Sequence, residues 1–245
     1  MTVGRVDGRT VIVTGGARGM GAAFAGRLVA EGASVVITDV LAEEGEAVAA
    51  ELGSSAAFLP HDVTDEAAWI EVVARAEALF GPVSGLVNNA GIVHVDPIER
   101  LAEADYRRVI DVNQVGVFLG MKSVAPSMRR AGGGSIVNIS SIGGIISFGN
   151  ILGYVASKWA VRGMTKAAAQ EFGAWGIRVN SVHPGVVITE MTADSERSNA
   201  MFHDQPLARP GTPEELAALV LFLVSAESGY STGSEFVADG GFTTH

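Results

Sequence analysis

The sequence predicts an α/β domain built on a doubly wound parallel sheet of about seven strands, with helices on both faces. Short β-branched or apolar runs alternate along the chain with longer stretches of helical period, the order that crossover helices between parallel strands require. The first of these runs passes directly into a glycine-rich turn that opens a helix. The chain has 245 residues, 48% of them hydrophobic and 18% charged. That composition suits one large domain, residues 1–245, with a sizeable core, and excludes disorder for the bulk of the chain.

Taken in order, Thr10-Val-Ile-Val-Thr14 reads as a strand ending in glycines, and Met20 to Glu31 as an amphipathic helix stopped by Gly32. Ser34 to Thr38 is strand-like, Ala42 to Leu52 helical, Ala56 to Leu59 strand-like, and Asp65 to Phe80 helical up to Gly81-Pro82. Ser84 to Asn88 gives a fourth strand, Glu103 to Arg130 a long helical region, and Gly134 to Ser140 a fifth strand. Gly153 to Phe172 is a further helix and Ile177 to Val182 the sixth strand. Residues 186–211 lack clear periodicity and are read as a substrate lid. Pro213 to Ser225 then forms a helix with proline at its first position, and Glu235 to Ala238 the seventh strand.

Twenty-seven acidic residues against 17 basic ones leave a net charge of −10. This argues against nucleic acid and anionic lipid surfaces as partners. The longest apolar stretch, Leu216 to Val224, falls far short of the roughly 20 residues of a membrane span, and the N-terminus lacks the apolar core of a signal peptide. A soluble, cytoplasmic protein is expected. Without cysteine there is no disulfide, thiol nucleophile or thiolate-bound zinc, and no metal is invoked below.

Gly15, Arg18, Gly19, Met20 and Gly21 lie between the first strand and first helix, where a dinucleotide needs close backbone and N–H groups aimed at its pyrophosphate. The spacing G-x-x-x-G-x-G departs from G-x-G-x-x-G, so the glycines alone also fit an ordinary tight turn. Asp39 adds weight, because it ends the second strand 24 residues after Gly15, near the offset at which a carboxylate accepts the adenosine ribose hydroxyls. There it also repels the 2′-phosphate of NADP, which makes NAD the expected cofactor. The competing reading of Asp39 is a solvated turn residue. Arg18 argues for NADP, since a cation in this loop can pair with a 2′-phosphate.

With Asn88-Asn89-Ala90-Gly91, Asn113, Ser141 and Tyr154-x-x-x-Lys158, this glycine turn makes the chain resemble the short-chain dehydrogenase/reductase family over nearly its whole length. Asp62-Val63, Pro184-Gly185 and Asp239-Gly240-Gly241 follow in the family's order, and three stretches look most like members acting on hydroxysteroids. The resemblance implies a Rossmann-type fold, with Asp62 and Val63 at the adenine and Asn89, Ala90 and Gly91 beside the cofactor. It further implies Pro184, Val187, Thr189 and Met191 around the nicotinamide, Asn88 tying neighbouring strands, and a homotetramer packed through the two long helices.

Tyr154 and Lys158 are four residues apart and share one helix face, so an ammonium can act on a phenol whose ordinary pKa is about 10. On the residues alone, the pair also fits an ordinary helix surface. Lys158 is expected to lower the tyrosine pKa and to grip the nicotinamide ribose together with Tyr154. Ser141 is selected over Ser140 by the family's serine-to-tyrosine spacing and would polarise the substrate oxygen. Asn113, a polar amide within a helix, would by analogy hold a water linking Lys158 to solvent.

Ile142, Ile145, Phe148, Ile151, Leu152, Ile188, Met191, Met201 and Phe202 offer an apolar wall suited to a bulky secondary alcohol or ketone. Ile145 and Ile151 are expected in the core, Trp159 and Trp175 read as structural, and His94 either faces the pocket or is merely exposed. The expected activity is hydride transfer between NAD(H) and such an alcohol, possible substrates including a hydroxysteroid. The alternatives are an NADPH-dependent 3-oxoacyl reductase and a nicotinamide-sensing protein without chemistry.

Overall fold

The computed structural model describes residues 4–190 and 205–244. Seven strands, β1 (Thr10–Thr14), β2 (Ser34–Asp39), β3 (Ala56–Pro60), β4 (Val83–Asn88), β5 (Gly134–Ile139), β6 (Ile177–Pro184) and β7 (Glu235–Ala238), form one sheet in the order β3-β2-β1-β4-β5-β6-β7. Every pairing is parallel. The winding therefore runs outward from β1 to β3, returns to β4 and runs outward again. A cleft opens at the reversal, beyond the carboxyl ends of β1 and β4.

Helices cover both faces: α1 (Gly19–Ala30), α2 (Ala42–Leu52), α3 (Glu66–Phe80), α4 (Glu103–Ile110), α5 (Gly116–Arg130), α6 (Leu152–Phe172) and α7 (Pro213–Val224). Successive side chains of β1 divide between two cores, Val11 and Val13 joining Phe24, Leu28 and Leu221 on one face, and Ile12 joining Trp69, Leu86 and Met128 on the other. Covered on both sides, β1 needs no polar alternation, which is why it reads as a continuous apolar run. Asp65 caps α3 by accepting from the N–H groups of Ala67 and Ala68. Thr212 and Glu215 form a capping box around Pro213 at the start of α7.

The element order is the one expected, with one substantive correction. The helical region Glu103–Arg130 is not continuous, because a single π-helical turn, Asp111–Val115, separates α4 from α5. Asn113 lies in that turn, fully buried, with its amide bonded in both directions to the backbone of Ile92. One extra residue in the turn lets the side chain leave the helix towards that partner. Asn88 ties strands as expected: its amide donates to Asn138 Oδ1 at 2.9 Å, and the Asn138 amide donates to Thr165 on α6 at 3.0 Å. Among the described residues, no helix is long and apolar enough to cross a membrane.

Trp69 is the largest wholly buried side chain, and its indole N–H donates to the carbonyl of Val63 at 3.0 Å. Trp69→Ala is expected to cost about 3–5 kcal/mol of stability by leaving a cavity. Trp69→Phe keeps most of the ring but unpairs the Val63 carbonyl, and is expected to cost about 1–3 kcal/mol. Urea unfolding followed by circular dichroism measures both, and an Ala variant as stable as the parent would remove the ring from its place in the core.

Candidate active site

Two stitched loops floor the cleft. The Thr14 hydroxyl accepts from the N–H groups of Asn89 and Ala90, at 3.0 and 3.1 Å, while the Asn89 amide donates to the carbonyls of Thr14 and Gly15, at 3.0 and 2.9 Å. This close approach requires glycine at position 15, where φ is +62° and a Cβ would stand 2.8 Å from the Ala90 Cα. A Cβ on Gly21 would overlap the Gly15 carbonyl, so that glycine lets the turn lie on the start of α1. Helix α1 has no side-chain cap and no acidic residue in its first turn, so its N-terminal N–H groups face the cleft, where a Cβ on Gly19 would stand 3.2 Å from a Glu190 carboxylate oxygen.

The cleft encloses about 310 Å³ and is lined by Gly15, Arg18, Gly19, Met20, Asp39, Asp62, Val63, Asn89, Ala90, Gly91 and Thr189, all expected from the sequence. Asp39 is anchored, since one carboxylate oxygen accepts from Ala17 N–H and the other from Leu41 N–H, each at 3.1 Å. It therefore joins the glycine loop to the end of β2 rather than standing in a solvated turn. An anion-binding helix start beside close-packed glycines, with a fixed carboxylate one strand away, fits a nicotinamide dinucleotide.

Val40, Leu41, His61, Ile92, Val112 and Glu190 also line the cleft and were not singled out. All but His61 and Glu190 have plain apolar side chains whose only signal is adjacency in sequence to expected residues. Pro184 and Val187 are buried, Val187 within the hydrophobic core, and neither lines this cleft. Val187 forms a parallel bridge with Gly211, which ties together the two ends of the segment read as a lid. Met191, Met201 and Phe202, and residues 191–204 of that segment as a whole, lie outside the described residues.

At the end of the cleft, helix α6 brings Tyr154 and Lys158 against the ends of β4 and β5. Lys158 is only 4% exposed, and its ammonium donates to the Ile139 carbonyl at 2.8 Å. A Cβ on Gly91 would stand 3.3 Å from Asn113 Oδ1 and 3.5 Å from Lys158 Nζ, so all three meet at one point. The Asn113 amide also donates to Ser157 Oγ at 3.1 Å, and that hydroxyl donates to the Tyr154 carbonyl at 2.7 Å. Ser141 caps a short 3₁₀ turn, Ile142–Gly144, by accepting from Gly143 N–H at 3.0 Å, and a Cβ on Gly143 would stand 3.4 Å from both Ser141 Oγ and the Tyr154 ring, so hydroxyl and phenol ring lie side by side. Ser140 points elsewhere, donating to the Lys158 carbonyl at 3.0 Å.

Burial pushes the Tyr154 phenol above its ordinary value, with the Ser141 hydrogen bond opposing, and pushes the Lys158 ammonium down to about 8. The expected lowering relied on Lys158 together with the positive charge of an oxidised nicotinamide, and in the chain by itself burial outweighs the lysine. Lys158 Nζ lies 5.5 Å from the tyrosine ring centroid and is bonded to Ile139, and the loss of water around the phenolate dominates.

On the substrate side Ile142 and Ile151 are buried. Ile145, expected in the core, is half-buried beside the similarly placed Phe148, whose ring tilts against Phe242 with centroids 6.4 Å apart. Leu152 and Ile188 are exposed. His94 lies 3.8 Å from the Asp105 carboxylate. Trp175 stacks on Phe172, while Trp159 is half exposed beneath Arg162. Sequence reasoning also missed His183, a wholly buried side chain bonded to the Ser141 carbonyl.

A family model described as "Enoyl-(Acyl carrier protein) reductase" matches residues 15–243. The chain is 50% identical over 238 residues to a 3-alpha-(or 20-beta)-hydroxysteroid dehydrogenase of Mycobacterium tuberculosis, covering 97% of this chain and 90% of the relative. It is 44% identical to a trans-4-hydroxycyclohexanecarboxylate dehydrogenase of Sinomonas cyclohexanicum, over 98% of this chain and 94% of that one. A crystal structure of a short-chain type dehydrogenase/reductase from Mycobacterium marinum superposes with a TM-score of 0.94 at 34% identity, covering 98% of this chain and 97% of the other. Fold and relatives together define an oxidoreductase that uses a nicotinamide cofactor and acts on CH–OH groups. The chain belongs to the short-chain dehydrogenase/reductase family.

The Lys158 shift has a measurable consequence for stability. The folded chain releases this proton at about 8, against an ordinary value of 10.5 in the unfolded chain. Between those values the unfolded state binds more protons, so rising pH favours the folded state through this group, by up to about 1.4 kcal/mol per pH unit. Comparison with Lys158→Met across that window is expected to show the parent gaining stability relative to the variant. A difference that stays constant with pH would mean that the ammonium titrates at its ordinary value.

Proposed function

We propose that this chain is an NAD-dependent dehydrogenase of bulky apolar secondary alcohols and their ketones, with hydroxysteroids as the leading substrate class. The observation that carries this reading is the convergence of the Ser141 hydroxyl, the Tyr154 phenol and the Lys158 ammonium at the end of the dinucleotide-shaped cleft. The names of the relatives, a hydroxysteroid and a cyclohexane alcohol dehydrogenase, support a cyclic apolar substrate. The half-buried Ile145 and Phe148 near Ser141 suit such a ring.

In this reading Ser141 Oγ holds the substrate oxygen, and Tyr154 takes the hydroxyl proton during oxidation and returns it during reduction. A bound nicotinamide accepts or supplies the hydride. Lys158 would hold the nicotinamide ribose with its ammonium, and Asn113 would fix Ile92 and Gly91 beside that ammonium while linking it towards solvent. Gly15, Arg18, Gly19, Met20 and Gly21 would take the pyrophosphate, with Asp62 and Val63 at the adenine. Asn89, Ala90 and Gly91 would pass along the cofactor, with Pro184, Val187, Thr189 and Met191 around the nicotinamide.

NAD is favoured because the Asp39 carboxylate, held at the end of β2 by two backbone N–H groups, would accept from the adenosine ribose hydroxyls and repel a 2′-phosphate. Arg18 on the same cleft favours NADPH instead, since a cation there can pair with a 2′-phosphate. The decisive experiment offers NAD and NADP with a hydroxysteroid, cyclopentanol and a small acyclic alcohol. Turnover with NAD and a cyclic alcohol is expected, and preference for NADP would overturn the cofactor reading. Tyr154→Phe is expected to reduce turnover by a factor on the order of 10² to 10⁴ while NADH still binds. Because the phenol is shifted upward, kcat/KM for oxidation is expected to rise from neutral into alkaline pH, and a flat profile would exclude Tyr154 as the base.

We also propose a homotetramer. An apolar groove of about 570 Å³ runs between α5 and α6, lined by Phe118, Met121, Ala125, Met164, Ala168 and Trp175 among others, and Phe118 is half exposed there. The same two helices were expected to pack across subunits. Sedimentation equilibrium is expected to give the tetramer mass, and Phe118→Glu to shift it towards smaller species; a stable monomer at micromolar concentration refutes the assembly.

A further inference from the structure

Strand β5 leaves its ladder just before the residue that matters most. Its register with β6 runs from Gly134↔Ile177 to Ile139↔Val182, and the last backbone bond is Ser140 N–H to the Val182 carbonyl at 2.8 Å. Ser141, one residue on, has no strand partner on β6. In place of the ladder stands a side chain: His183 Nδ1 lies 3.0 Å from the Ser141 carbonyl. That carbonyl also accepts from Gly144 N–H at 2.9 Å, closing the 3₁₀ turn.

Chemistry fixes the direction of this contact. A carbonyl only accepts, so Nδ1 must carry the proton, and in the neutral ring Nε2 is then an acceptor. The Ser181 hydroxyl, two residues back on the same face of β6, lies 2.9 Å from Nε2 and donates to it. The result is a directed chain from Ser181 through His183 to Ser141, polarised along its length. His183 is fully buried, and its backbone is held opposite Val237 on β7. Burial pushes its pKa below the ordinary value, the bond to the Ser141 carbonyl and Glu235 on β7 acting against it and Arg162 and Lys158 on α6 with it, so the neutral form prevails.

We propose that His183 is a positioning residue for the proposed reaction: by holding the Ser141 carbonyl it fixes the turn from which the Ser141 hydroxyl is presented to Tyr154 and to the substrate oxygen. This rests on the reading of Ser141 as the group that binds that oxygen. The ring touches neither substrate nor cofactor in this role. What it supplies is the orientation of a backbone segment that the sheet has stopped holding.

The test compares His183→Leu, which removes the donor, with His183→Asn, whose amide nitrogen can stand where Nδ1 stands. Both are assayed with the panel alcohol that the parent enzyme oxidises fastest. His183→Leu is expected to lower kcat by roughly ten- to a hundred-fold, the scale of a small misplacement of a reacting group, while the NADH dissociation constant and the KM for alcohol change by less than about twofold. His183→Asn is expected to recover most of kcat. In a Ser141→Ala background, His183→Leu should add less than about twofold, because the two act as one unit. If the Leu variant does not fold, Ser181→Ala replaces it in the same cycle, with a several-fold loss expected that is likewise absent without Ser141. Equal activity of the Leu and Asn variants, or a loss that adds fully to that of Ser141→Ala, overturns the proposal. Undiminished turnover in Ser141→Ala overturns the reading beneath it instead, so the two failures are distinguishable.

Discussion

A lysine ammonium held almost wholly out of water is the constraint on which the catalytic half of this molecule depends. Burying a charge is costly unless it is bonded, and among the described residues Lys158 finds its acceptor in the carbonyl of Ile139, the last residue of β5. That bond, with the packing of Val161, Ala168 and Ala169 and the Asn138–Thr165 bond, holds α6 against the sheet. Once α6 is there, a Cβ on Gly91 would touch Nζ and press on Asn113 Oδ1 at 3.3 Å, and Ser140 returns a hydrogen bond to the Lys158 carbonyl. Asn113 must leave its helix through a π turn to hold Ile92, the residue after that glycine. Tyr154, one turn earlier on α6, inherits its position from the same placement.

The cofactor side follows a different principle. Backbone organises it, through the exchange of hydrogen bonds between the loops after β1 and β4 and through the two N–H groups that bind Asp39, and this works only because positions 15 and 21 lack side chains. The two halves meet at Gly91, which borders the cleft on one side and the lysine on the other. A molecule lying along the cleft therefore ends beside the tyrosine without any further guidance.

How much of this was legible in the sequence depended on range. Strands and helices were, because period and capping are local: Asp65, Pro213 and Gly32 mark their boundaries by chemistry that acts over a few residues. The π turn was not, because one extra residue in a helix leaves apolar periodicity almost unchanged, and its cause, Ile92, lies 21 residues away. The direction of the Tyr154 shift was hidden for the same reason, since desolvation depends on everything packed around the ring. Val187 was assigned to the cofactor by resemblance; its side chain lies in the core, which leaves only its backbone for that role. His183 carries no local sign at all: its role as a donor exists only because β5 and β6 part company one residue before Ser141.

Charge explains why the cleft is arranged as it is. A chain of net charge −10 gains nothing from its overall field when it takes an anionic dinucleotide. Attraction must come from groups at contact distance, and the cleft has two: the uncapped N-terminus of α1 and the side chain of Arg18. Its other charged lining residues, Asp39, Asp62 and Glu190, are carboxylates, which repel phosphate wherever they stand. Of these, Glu190 stands against Gly19 in the glycine turn itself, while Asp39 and Asp62 border the stretch beyond it, where fixed carboxylates would be good acceptors for hydroxyl-bearing parts of a ligand. Asp39, held by Ala17 and Leu41, cannot swing away to admit a further phosphate without breaking two backbone bonds. In the proposed NAD-dependent reading, discrimination at that position would be a property of the loop that Asp39 holds together, the same two bonds shaping the turn and fixing the carboxylate.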